Sequence, residues 1–261
     1  MQSIRQPAVA GMFYPSDPAE LKQQVQGFIA AAEPGELTPK AIVAPHAGYV
    51  YSGPVAGSAY AQLAPLAGTI RRVVLLGPAH RLAFRGLAYS GAERFRTPLG
   101  EVAVDRDALE TLRDLPQVHE SDAPFAGEHC LEVQLPFLQT VLGDFKLVPL
   151  LVSEAGQEEV AEVLETLWGG DETLIVISSD LSHYLDYGSA RAMDTETSEA
   201  IESLRPEAIG YHQACGRNPL NGLLVEARRH GLRAKTLDLR SSGDTAGPRN
   251  QVVGYGAYVF S

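Results

Sequence analysis

The stretch "RRVVLLGPAHR" (residues 71–81) decides the fold. Its β-formers run on with no polar alternation, the pattern of a strand buried on both faces. Gly77 and Pro78 stop the run, and His80 follows almost at once. The same design returns in "KAIVAPHAGYVYSG" (40–53), which ends on His46, and in "ETLIVISSDLSHY" (172–184), which ends on Asp180 and His183. Ligands of open parallel sheets bind beyond the carboxyl ends of the strands. Three strand ends of one design therefore predict a shared rim carrying these side chains.

Working outward, strands alternate with helices. "SDPAELKQQVQGFIAAA" (16–32) predicts a helix with Asp17 as cap, Pro18 in the first turn and Glu20 placed for a capping box. "GPVAGSAYAQLA" (53–64) predicts a small-residue helix, and "GLAYSGAERFRTPLGEVAVD" (86–105) a hairpin turning at Thr97–Gly100. "RDALETLRDL" (106–115) is a short helix, and "LEVQLPFLQTVLG" (131–143) is a helix that Pro136 would kink. "FKLVPLLV" (145–152) is a strand, followed by an amphipathic helix over 156–169. Further helices are expected over 193–204 and 218–231. The second would be capped by Asn218, started by Pro219 and ended by Gly231. "AKTLDLRSS" (234–242) and "QVVGYGAYVFS" (251–261) close the sheet. The expected fold is α/β, a single-domain three-layer α/β/α arrangement over residues 1–261 with a mostly parallel, mixed central sheet.

The 261 residues are 45% apolar, enough for a full core, and carry a net charge of −11. That charge argues against a nucleic-acid partner, which needs basic patches. The N-terminal "MQSIRQPAVAGMFYP" has no apolar segment of signal-peptide type, and no apolar run reaches membrane-spanning length. The expectation is a cytoplasmic protein with no membrane partner. The cysteines, Cys130 and Cys215, are then expected to be unpaired.

Histidine is the commonest metal ligand among side chains, so His46 and His80 are the start of a metal site. A third ligand is needed, and Cys215 in "ACGRNPL" is the best candidate. A nearby cation, Arg217, and a following helix N-terminus favour its thiolate. A plain buried thiol is the simpler alternative. Asp180 and His183 read either as an acid/base pair beside the metal or as a turn. "GEHCLEVQLPFL" (127–138) offers a competing set, in which His129 and Glu132 share a helix face beside Glu128. His129 is assigned here to a substrate-facing role and Cys130 to the core, while His119, His212 and His230 read as surface residues. The P-loop, the dinucleotide glycine fingerprint, H-E-x-x-H and G-x-S-x-G are all absent.

"AGMFYPSDPAEL", "APHAGYVYSGPVAGSAY", "LLGPAHR", "FRTPLGEV", "GEHCLEVQLPFL", "SSDLSHY", "ACGRNPL" and "VVGYGAYVF" occur in order along nearly the whole chain. Together they resemble the Memo family, called AmmeMemoRadiSam system protein B in bacteria and archaea. The resemblance implies a fold similar to class III extradiol dioxygenases, which hold non-haem Fe(II) with two histidines and a glutamate. It implies His46, His80 and Cys215 as metal ligands, Asp180 and His183 as catalytic residues beside the metal, and Tyr51 as a pocket tyrosine. Thiolate in place of carboxylate shifts preference toward Cu(I) or Zn and alters iron redox chemistry, so dioxygenase activity does not follow from the fold. The expected cofactor is Fe(II) or Cu, with Zn as the third choice. The expected activity is metal-dependent redox chemistry. The rival readings are a peptide- or small-anion-binding module using the same pocket, and a zinc hydrolase. The resemblance also implies radical-SAM and AMMECR-type partner proteins.

Overall fold

The structure, a computed structural model, describes residues 3–33, 35 and 38–261. Met1 and Gln2 of the N-terminal segment read above lie outside them. In chain order the strands are β1 (Ile4–Arg5), β2 (Ala41–Ala44), β3 (Arg72–Pro78), β4 (Leu87–Tyr89), β5 (Arg94–Thr97), β6 (Gly100–Val104), β7 (Val118–Glu120), β8 (Lys146–Val152), β9 (Thr173–Ser178), β10 (His183–Leu185), β11 (Ala234–Ser241) and β12 (Val252–Phe260). The α-helices are α1 (Pro18–Ala30), α2 (Tyr49–Tyr60), α3 (Arg106–Glu110), α4 (Leu135–Leu142), α5 (Gln157–Thr166), α6 (Tyr187–Glu202), α7 (Arg217–Arg229) and α8 (Ser242–Thr245).

The centre of the sheet is the parallel set β8-β3-β9-β2. β2 and β9 are buried along their whole length, as their unbroken apolar runs require. β12 joins β2 antiparallel and β11 joins β12 antiparallel, so the sheet is mixed. Helices α1, α2 and α4 pack together, and α5 packs on α7, which lies against β3 and β9. The result is a single-domain α/β fold with a large, mostly parallel sheet flanked by helices. Among the described residues no helix is long and apolar enough to cross a membrane.

Register fixes the rim. Ala44 of β2 lies opposite Ser178 of β9, and Ile177 of β9 lies opposite Leu76 of β3. The three carboxyl ends are therefore level, and His46, Asp180 and His80 all emerge on the same edge.

Several boundaries differ from the sequence reading. α2 starts at Tyr49, four residues early, because Tyr49 is anchored from afar: its N–H donates to Phe13 O (2.7 Å) and its hydroxyl to Val133 O (2.6 Å). The hairpin is confined to β5 and β6, while β4 pairs with β7 and β8. The short helix after it is α-helical only to Glu110. Pro136 does not kink a helix. It occupies the second position of α4, where its missing N–H would be unpaired anyway. α6 begins at Tyr187, capped by Asp186 through the N–H groups of Gly188 and Ser189. α7 is preceded by Gly216 rather than capped by Asn218, whose side-chain amide donates instead to Ser153 O (2.6 Å). Asp17 caps α1 through Ala19 and Glu20, and Gly231 adopts positive φ (68°) just past α7, both as read.

Candidate metal centre

His46, His80 and Cys215 offer three ligand atoms that all lie within 4.8 Å of one another. His46 Nε2 stands 3.3 Å from Cys215 Sγ. The His46 and His80 rings meet edge to face with centroids 5.1 Å apart. His80 and Cys215 line a cavity of about 1140 Å³, whose wall also includes His183, Tyr184, Tyr211 and Arg217, while His46 is buried behind them.

Each histidine is held by its far nitrogen. His80 Nδ1 lies 3.0 Å from Glu128 Oε1, and Glu128 also accepts the backbone N–H groups of His80, His129 and Cys130. Burial alone would raise this carboxyl, but the hydrogen bonds from His80 and from the backbone outweigh it and hold it well below the usual carboxylate range. Glu128 is thus an acceptor and His80 Nδ1 carries the proton, which makes Nε2 the nitrogen available to a ligand. A carboxylate behind a histidine is the usual support of a metal-binding imidazole.

His46 reaches the same state by a longer route. Gln134 Nε2 faces the carbonyls of Ala44 and Pro45, which only accept, so that end of the amide is the NH₂. Its Oε1 accepts from Tyr60 OH (2.8 Å), and its Nε2 donates to Ser178 Oγ (2.8 Å). Ser178 gives its own hydrogen to Cys130 O (2.7 Å). Ser178 must therefore accept from His46 Nδ1 at 2.9 Å, which leaves the Nε2 lone pair aimed at Cys215. Burial, and then the neighbouring histidines, push the His46 pKa well down, so the ring is neutral.

Cys215 sits on the loop between Ala214 and α7. Gly216 lets that loop approach the end of β9, since a Cβ there would lie 2.7 Å from Ser179 Cβ and 2.8 Å from Ser178 O. The Asp180 N–H points at the sulfur (3.3 Å). Burial and then the Asp180 carboxyl push the thiol pKa well up, so without a cation Cys215 stays protonated. Two imidazoles and a thiol that only a cation would ionise are a donor set suited to a soft or borderline metal.

Asp180 is buried and accepts the His46 N–H (2.8 Å), and burial lifts its pKa to about 7. His183, on β10, reaches the cavity, and burial lowers its pKa. His129 stacks on His80 (5.0 Å) and packs on Phe13 (4.8 Å), and its buried Nδ1 has no hydrogen-bond partner. Tyr51 stands apart on the first turn of α2, 39% exposed and outside the residues that line the cavity.

The His129/Glu132 set does not form a metal site. Glu132 turns away and accepts from Arg5, from the N–H groups of Ala8 and Val9, and from Tyr14 OH, clamping the N-terminal segment. Cys130 is fully buried, and both cysteines are unpaired. Gln134, and the role of Ser178 as the acceptor behind His46, escaped the sequence reading. Gln134 left one signal, an amide alone in the apolar run "LEVQLPFL".

Fold and site together define an α/β protein with a candidate two-histidine, one-cysteine metal centre at the carboxyl ends of parallel strands. The chain belongs to the Memo family: the family model described as "Memo-like protein" matches residues 5–259. MEMO1 family proteins of Methanopyrus kandleri (MK0963) and Aquifex aeolicus are each 35% identical, over 98% of this chain and 98% and 99% of their own lengths. One from Aeropyrum pernix is 37% identical over 97% of this chain and 98% of its own. A solved structure, the uncharacterized protein JW3007 from Escherichia coli K12, is similar with a TM-score of 0.53 at 12% identity, over 84% of this chain and 98% of that one. That likeness concerns the fold alone.

Proposed function

We propose that the protein is a metal-dependent oxidoreductase acting on a small molecule in the cavity, with one Fe or Cu ion held by His46, His80 and Cys215. The observation that carries this reading is the convergence of these three donors, with the Nδ1 of each imidazole engaged by Ser178 or Glu128. An iron or copper ion there would supply electron-transfer or oxygen chemistry that side chains lack. The remaining steps belong to the chain. Asp180, with a pKa near 7, can hold or release a proton at neutral pH. His183, neutral at the cavity wall, accepts one from a substrate. Neither His129, whose ring packs on His80 and Phe13, nor Tyr51 lines the cavity, so a contact with either requires a substrate that extends beyond it.

The test is metal content by elemental mass spectrometry on protein purified without air or chelator, beside Cys215→Ala and His80→Ala. About one equivalent of Fe or Cu, lost in both variants, is the expected result. Tight metal binding without O₂ consumption or turnover over a panel of catechols and thiols would favour a binding module instead. A site filled only by Zn(II) would favour hydrolysis.

A further inference from the structure

At the far end of α7, about 20 Å from Cys215 by helix rise, a second group of metal-type ligands converges. Glu226 and His230 lie one turn apart on α7, and Glu165 reaches them from the last turn of α5. Their three ligand atoms also lie within 4.8 Å of one another. His230 Nε2 is 2.6 Å from Glu165 Oε2 and 3.5 Å from Glu226 Oε2.

Glu226 is the telling residue. Its side chain is fully buried. Oε1 is paired with Arg229, but as a carboxylate oxygen Oε2 has no donor: it faces the His230 nitrogen and the Glu165 carboxyl, which could pair with it only by sharing a proton. A buried carboxylate oxygen left unpaired is costly. His230 Nε2 has only one hydrogen, and the nearer Glu165 takes it. Acids outnumber guanidinium groups here: Arg229 is shared by Glu158 and Glu226, and Glu165 faces His230. The carboxyl ends of α5 and α7 add partial negative charge at the same place.

We infer that Glu165, Glu226 and His230 form a second cation site, for a divalent ion of the zinc class, that staples α5 to α7. One imidazole and two carboxylates are ordinary zinc donors, with water completing the shell. Bonds of about 2.0–2.2 Å need the close His230–Glu165 pair to open slightly. Glu165, the more exposed of the two, can make that adjustment. Trp168, the only tryptophan of the chain, stacks on His230 at 4.0 Å and 10°, and so fixes the ring plane and reports on it.

The experiment uses chelator-stripped protein carrying Cys215→Ala, which silences the first centre, with Zn(II) alone as the probe. About one equivalent of zinc should bind, with a saturable change in Trp168 emission and a higher melting temperature. Adding His230→Gln should weaken binding about tenfold or more. Adding Glu226→Gln should do the same. Should the buried variant not fold, the exposed His230→Gln decides alone. No bound zinc and an unchanged Trp168 signal would overturn the site, as would zinc bound equally well by the His230→Gln protein. Failure of the first centre reads out elsewhere: Co(II) added to the wild type would give no thiolate charge-transfer band.

Discussion

His46 Nε2 and Cys215 Sγ meet at 3.3 Å across 169 residues of sequence. Neither is charged there, because burial lowers the imidazole pKa and raises that of the thiol. The pair is thus poised for a cation rather than for an ion pair of its own. Ser178→Ala removes the acceptor that fixes the His46 proton and should weaken metal binding about 10–100-fold, as should Glu128→Gln behind His80. Competition with a chelator of known affinity measures both. An unchanged affinity in Ser178→Ala would mean that the serine chain does not orient His46.

Asp194 gives a pH dependence away from the ligands. It is buried on α6, accepts the Ser182 N–H (3.0 Å), and has its pKa raised to about 6, chiefly by burial. A carboxyl that titrates higher in the folded than in the unfolded state holds its proton better when folded. Its stabilising contribution is therefore complete below the unfolded value of about 4 and is lost as pH rises through about 6. Asp194→Asn should stabilise the protein by up to about 3 kcal/mol at pH 7–8 and by almost nothing near pH 4. Ser182 Oγ lies beside this carboxyl and can accept from the new amide. Melting temperatures of both proteins across this range are the check, and a pH-independent difference would contradict it.

Glu132 is a clamp. Replacing it with Ala leaves Arg5 Nη1, the Tyr14 hydroxyl and two backbone N–H groups without their acceptor, while Arg5 Nη2 keeps the carbonyls of Phe125 and Glu128. Breaking a buried ion pair on one side costs about 3–5 kcal/mol. The Glu132→Ala protein should melt lower and be cleaved by protease before Tyr14. It should also lose the packing of Phe13 on His129.

Gly216→Ala tests the approach of the Cys215 loop. The added methyl meets Ser179 Cβ and Ser178 O at under 3 Å, and backbone must shift to relieve it. We expect a loss of about 1–3 kcal/mol and a weaker thiolate-to-Co(II) band. A variant as stable as the wild type with an undiminished band would show that the loop has room to spare.

The sequence revealed what local patterns encode. β3 and β9 were legible because unbroken apolar runs stop at Gly77-Pro78 and at Ser178. His46, His80 and Asp180 were legible because they follow such runs directly. What escaped depends on distant partners. The start of α2 rests on Phe13 and Val133, and β10 exists through its pairing with β12. The "DYGS" opening of α6 has no apolar period, only the Asp186 cap. Glu132 shares its stretch with His129 yet serves the N-terminal segment, which no spacing rule could show.

Tyr60, Gln134 and Ser178 make up an inheritance that the centre receives from the interior. A glutamate in place of Gln134 would keep its shape and touch nothing in the cavity. It would nevertheless set an acceptor where Ser178 now receives a hydrogen, and the Pro45 carbonyl would face another oxygen. Surveys of variation confined to the cavity wall would score positions 60 and 134 as packing. Their reach is measured in bonds along a relay of hydrogens, and a natural variant silent in shape can still rewrite where the protons of this centre reside.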